Sequence, residues 1–328
     1  MVDKTVPMEE FEARVRRGGN GAEAEADARA LRSGDHEAPY RIAAQCVSVA
    51  IAEPERLVEV YDGLALGWLG RAPDGPPVGD GEGPGPTLGD PSVPVPAELW
   101  DALWDLVLDP DAGRDPADIT ERTAALTGLL PAAFHQRVAA VALAYPGVAA
   151  AAASGVPPRF SLEALAACPD GSLGGRLHSL VVDDGFDLEV LDRDALDLAD
   201  LPAPLDYLNV RILQCHDVWH LVAGYETTGL HEVAISGFQM AQFGHQYSSM
   251  FLGMVLTKVA FSEPFEGMGF LLGTVLSAYT HGRRTPPLLG MAWEEVWDRP
   301  VREIRTDYGI TPYDSPYPAG LLEQIRSA

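Results

Sequence analysis

From Pro204 onward, apolar residues recur three and four apart through four successive stretches, 204–223, 229–261, 265–282 and 291–307. That spacing gathers them on one face of a helix. No stretch of the chain alternates apolar and polar residues as a run of half-buried strands would require. Upstream, Tyr40 to about Leu69 reads as a helix pair broken at Pro54. Helical spacing resumes at Ala97–Leu108, Pro116–Leu129 and Pro131–Ala153, the last turning at Pro146. Residues Leu180–Leu191 are the one segment expected to be extended. The predicted class is all-α, a multi-helix bundle.

Residues 1–39 form an acidic N-terminal extension, interrupted by glycine and expected to be frayed or flexible. Residues 40–328 are expected to form a single helical domain. Within it, 71–96 is dominated by Pro, Gly and Asp and reads as a linker with little to bury.

Lys+Arg is 23 against Asp+Glu 48, a net charge of −25. Such a surface repels phosphate backbones and anionic lipid, which excludes a general nucleic-acid binder and a broad basic membrane face. The cysteines, Cys46, Cys168 and Cys215, are too few and too scattered for a disulfide framework or a Cys-based zinc ribbon. No N-terminal apolar core marks a signal peptide, and no apolar run suits a membrane span. The expected location is cytoplasmic, with peripheral attachment to a membrane left open.

The chemistry concentrates between Leu213 and Tyr247. On a helix, His216 and His220 lie about 40° apart, one turn from each other. Asp217 lies about 60° from His220, so two imidazoles and a carboxylate share an arc fit for a divalent cation. Glu232 follows His220 by twelve positions, roughly 18 Å along an unbroken helix and too far to share a metal. Gly224 and Gly229, flanking Thr227 and Thr228, supply a turn that would bring Glu232 back on an antiparallel helix. The rival is a helical hairpin whose polar side chains satisfy one another. Its difficulty is that Leu213, Trp219 and Leu221 border the histidines, and burying two histidines and two carboxylates without a shared partner is costly.

This pattern, His-Asp-x-x-His, eleven residues, Glu, resembles the metal signature of the coenzyme Q (ubiquinone) biosynthesis protein 4 family. Two further blocks resemble that family: Cys168–Leu177 (CPDGSLGGRL) and His281–Ile310, with its Gly-Arg-Arg run and with Glu294 and Trp297 three apart. The resemblance is dense over about 160–312 and thin over 40–66, and it makes about 70–130 look like an insertion. It implies a helical protein acting on prenylated quinone-ring precursors, where a ring carboxyl group is removed and the same carbon hydroxylated. It implies a divalent metal, zinc foremost, on His216, Asp217, His220 and Glu232, with Asp217 either a ligand or an orienting group. Binding of a hydrophobic or prenylated small molecule, contact with other enzymes of the pathway and a homodimer are further expectations.

Two rival functions stay open: a tailoring enzyme of specialised metabolism on the same fold, such as a polyketide cyclase, and a non-catalytic lipid-binding scaffold with a structural metal. Arg283 and Arg284 are candidates for gripping an anionic substrate group, since a guanidinium holds a carboxylate in a fixed fork. Alternatively they offset the dipole at a helix C-terminus. His231 and His245 read as polar neighbours of the site, and Cys215 as a buried spectator. The small-residue helices 233–261 and 265–280 are a candidate channel for an isoprenoid tail, with plain core packing as the alternative.

Overall fold

The computed structural model describes residues 8–76, 78, 94–112, 116–183, 185, 187–189, 193–194, 198–262 and 266–327. Most of the expected linker at 71–96 lies outside them. Among the described residues, sixteen α-helices run in chain order as α1 (Met8–Arg17), α2 (Gly21–Arg32), α3 (Ala38–Ile51), α4 (Leu57–Leu69), α5 (Ala97–Leu108), α6 (Pro116–Gly128), α7 (Ala132–Ala142) and α8 (Val148–Ala152). There follow α9 (Leu162–Ala166), α10 (Leu173–Val182), α11 (Leu205–Ala223), α12 (Gly229–Phe243), α13 (Gln246–Phe261), α14 (Glu266–Arg284), α15 (Val301–Tyr308) and α16 (Leu321–Ser327). Among the described residues there is no strand, only an isolated bridge between Ser172 and Pro300. The all-α bundle is therefore observed. The extended segment expected at Leu180–Leu191 is not, because its start closes α10 and its described remainder carries no strand.

The long helix expected over 229–261 breaks at Gly244. This residue takes the left-handed conformation (φ +62°) and ends α12. Its φ suits glycine, and a Cβ there would also strike the ring of Tyr145. The break lets α13 turn back and pack along α3. Twelve of the fourteen residues of α3 are buried, so it is a central element of the bundle.

Residues 8–32, expected to be frayed, instead form two packed helices. Phe11 and Val15 of α1, and Ala24, Ala28 and Leu31 of α2, are buried. Phe11 meets Trp104 of α5 and Phe261 of α13 edge-on, with ring centroids 5.5 and 5.4 Å apart. The close approach of α2 to α4 depends on Gly63 and Gly67. A Cβ at either would overlap a backbone carbonyl of α2, that of Gly21 or of Glu25. The same device joins α12 to α14, where Gly237 faces the Val275 carbonyl and Gly282 faces the Phe238 carbonyl.

Among the described residues, no helix is long and apolar enough to cross a membrane. The residues proposed to line a tail channel are largely core: Met250, Leu252, Met254, Leu271 and Leu272 are buried. Gly253 lies against the backbone of Cys46 and Val47 in α3, and Gly273 against Tyr317 and Trp68. A Cβ at Gly253 would make ordinary contact with α3, whereas one at Gly273 would press on the Tyr317 hydroxyl, so a bulky side chain at either position would meet packed protein.

Candidate metal centre

The site is a helical hairpin. α11 is buried along most of its length, and Trp219, beside the ligand face, packs tilted against Phe243 of α12 (ring centroids 4.9 Å). Gly224 ends the helix in the left-handed conformation (φ +83°), its N–H bonded to the His220 carbonyl at 3.0 Å. After Thr228, α12 starts. The turn that the sequence requires is present, and it brings Glu232 to the histidines.

His220 Nε2 stands 3.3 Å from one Glu232 carboxylate oxygen, and His216 Nε2 stands 3.6 Å from the other. The two rings lie 4.8 Å apart by centroid. His216 Nδ1 faces the Asp217 carboxylate at 3.1 Å. The ligand atoms offered by His216, Asp217 and His220 all fall within 4.8 Å of one another.

Burial opposes charge on His216, but the Asp217 hydrogen bond and the charges of Glu232 and Asp217 outweigh it and raise its pKa. Burial likewise pushes the Glu232 carboxyl up, and the neighbouring imidazoles outweigh it and draw it down. These are the reciprocal shifts of groups held together at short range.

His220 supplies the test of fit. Its side chain is 1% exposed. Neither ring nitrogen makes a well-aligned hydrogen bond among the described residues. A buried imidazole left so costs free energy, and a cation bound at Nε2 removes part of that cost. The donor set of two imidazoles and a carboxylate is also chemically right for zinc. Asp217, bonded to the far nitrogen of His216, takes the place of a carboxylate that orients a metal-bound histidine.

Arg283 and Arg284 are not gathered here. Arg283 is buried and directs Nη2 to Asp62 (3.7 Å) and to the Pro76 carbonyl (3.2 Å). Arg284 pairs with Asp74 at 2.9 Å. Both cations are engaged by α4 and the segment after it.

His245 is buried, and burial followed by the charge of His216 lowers its pKa to about 3, so it stays neutral. Its Nδ1 meets Ser248 Oγ at 2.9 Å. His231 accepts the Glu226 N–H at Nδ1 (2.7 Å) and so ties the turn to α12. Cys215 is buried, and burial pushes its thiol up to about 12, an unreactive spectator.

Two contributions around the site carry no sequence signal. Arg211, buried in α11, grips Glu294 through two bonds of 2.7 and 3.1 Å and the Met291 carbonyl at 2.7 Å. The acid singled out in the C-terminal block therefore clamps that block onto the ligand helix. Arg305 donates to the Leu221 and Val222 carbonyls, each at 2.8 Å, closing the C-terminus of α11.

With this geometry in view, a family model described as Coenzyme Q (ubiquinone) biosynthesis protein Coq4 matches residues 158–314, the part of the chain that carries the whole hairpin. Over residues 158–314 the chain is similar to the Coq4 family. Similar curated proteins include the mitochondrial ubiquinone biosynthesis protein COQ4 homolog of Drosophila melanogaster. It is 31% identical over 109 residues, 33% of this chain and 39% of the relative. The mitochondrial ubiquinone biosynthesis protein COQ4 of Yarrowia lipolytica is 32% identical over 104 residues, 32% of this chain and 38% of the relative. The chain thus matches about two fifths of the length of these Coq4 relatives. A crystal structure from Nostoc punctiforme PCC 73102, of a protein provisionally assigned to ubiquinone biosynthesis, aligns with a TM-score of 0.49 and 23% identity. That alignment covers 65% of this chain and 97% of the other.

Proposed function

We propose that this protein is a metal-dependent enzyme of quinone biosynthesis, acting on a prenylated aromatic acid whose ring carboxyl group leaves as the carbon is hydroxylated. The observation that carries this reading is His220, buried without a well-aligned partner and facing Glu232 beside His216, inside the Coq4 region. His216, His220 and Glu232 would hold the metal, zinc foremost, and Asp217 would orient His216 through Nδ1. When bound, the ion supplies Lewis-acid polarisation of an oxygen atom on the substrate.

The chain's own residues do the rest. Glu232 is the most accessible of the four, with 41% of its side chain exposed, so it marks the side from which substrate arrives. His216 and His220 form the inner wall, 16% and 1% exposed. Replacing the carboxyl group by hydroxyl is a two-electron oxidation, in which zinc accepts no electrons; with dioxygen as the acceptor it balances as aromatic acid + dioxygen + water giving phenol + carbon dioxide + hydrogen peroxide.

The test is elemental analysis of protein purified without chelator, together with carbon dioxide release from a prenylated hydroxybenzoic acid in air. About one metal per chain is expected in the wild type, and less than roughly a tenth in His220→Ala, given the tight binding usual at such sites. Carbon dioxide release should fall with the metal. Metal-free protein that turns over at the wild-type rate would sink the proposal.

A further inference from the structure

The first turn of α12 carries Glu232, and its own sequence does not cap it. Thr228 occupies the N-cap position with extended backbone angles (φ −122°, ψ 155°), yet its side chain accepts no hydrogen bond from the helix. Its hydroxyl instead donates to the Ala319 carbonyl at 3.0 Å. The N–H of Gly229, one of the donors that a helix start leaves unpaired, is taken by Glu323 Oε1 at 2.8 Å. Gly229 permits this approach: a Cβ there would sit 3.1 Å from Glu323 Oε1 and 3.3 Å from Leu322 Cδ2. A carboxylate at this place also meets the positive end of the helix dipole. Both contacts come from the segment around α16, outside the residues that match the Coq4 model.

We infer that Glu323 caps α12 from the C-terminal segment and acts as a positioning residue for Glu232. The link is one hydrogen bond. The Glu232 N–H donates to the Thr228 carbonyl at 2.9 Å and closes the first turn of the helix. Thr228 and Gly229 are the two residues that the C-terminal segment holds. When they fray, that bond opens and the Glu232 carboxylate loses its fixed place opposite His216 and His220. The consequence for metal binding rests on the reading of the site given above; the cap itself does not.

The full-length chain tests this with three variants: Glu323→Ala, Glu323→Gln, which keeps an acceptor oxygen, and Thr228→Ala, which removes the bond to Ala319. Zinc affinity is read by competition with a chromophoric chelator, and the protection of the Glu232 amide by hydrogen exchange in metal-free protein. Loss of a cap corresponds to a roughly three- to thirtyfold change in a linked equilibrium. In Glu323→Ala, zinc affinity and Glu232 protection should both fall within that range. In Glu323→Gln both should stay within about threefold of wild type, since an uncharged acceptor still caps. Should Glu323→Ala fail to fold, Thr228→Ala gives the same reading from the other contact. Unchanged Glu232 protection in Glu323→Ala would overturn the proposal, as would equal losses in Ala and Gln. A wild type that binds no zinc, while Glu323→Ala still loses Glu232 protection, would refute the metal reading and leave the cap standing.

Discussion

His216 and His220 were legible as a pair because four residues on a helix always make one turn, and Glu232 followed once glycines were seen to flank the turn. The partners of Arg211 were not legible. Glu294 lies 83 residues away, and nothing local distinguishes that arginine from the others. Arg283 and Arg284 misled for the same reason, since Asp62 and Asp74 reach them only in the folded chain. The Arg211–Glu294 pair has a definite pH signature. Partial burial pushes the Glu294 carboxyl up, but the hydrogen bond and charge of Arg211 outweigh it and hold the pKa below its ordinary 4.5. The folded protein therefore takes up this proton less readily than the unfolded chain. The pair's contribution is complete above the unfolded pKa and is lost as pH falls through the lower folded value. Glu294→Gln should cost about 1 kcal/mol at pH 7, a figure kept small because the carboxylate is partly solvated. In urea unfolding series at pH 7, 5 and 3.5, the gap from wild type should narrow at the acid end. A gap of constant size would show that packing, not charge, links Glu294 to Arg211.

Helices with dense apolar faces, such as α11 and α13, announced themselves in the sequence. The small helices α1 and α2 did not, although Phe11 and Val15, and then Ala24, Ala28 and Leu31, repeat at helical spacing. Their many acidic and arginine side chains conceal a narrow stripe, which in α2 is mostly alanine. What makes that stripe sufficient is on the partner: α4 presents Gly63 and Gly67, so α2 can approach until backbone meets backbone. Gly63→Ala should therefore destabilise the bundle by about 1–3 kcal/mol, the usual cost of overpacking, rather than stabilise α4 through alanine's better helix propensity. Thermal unfolding measures the sign directly, and a raised melting temperature would show that α2 can shift to accept a methyl group.

Across the whole molecule, the division into a flexible extension and a helical domain places the boundary where the packing is continuous. α1 joins α5 and α13 through Phe11, and α2 lies on α4. Burying Phe11, Val15 and Leu31 contributes about 1.5–3 kcal/mol each, together comparable to the net stability of a typical domain. Deleting residues 1–34 should thus yield aggregated chain or one with a much lower melting temperature. A soluble truncated protein with the wild-type melting temperature would restore the extension as an appendage. The placement of α3 has a consequence for synthesis. Its main partner is α13, and the bond from the Gln246 amide to the Ala50 carbonyl spans 196 residues. A chain leaving the ribosome therefore exposes α3 long before its cover has been made. Only the neighbouring α1, α2 and α4 are there to shelter it, which makes the early nascent chain the natural client of a chaperone and the point at which expression of this protein is most easily lost.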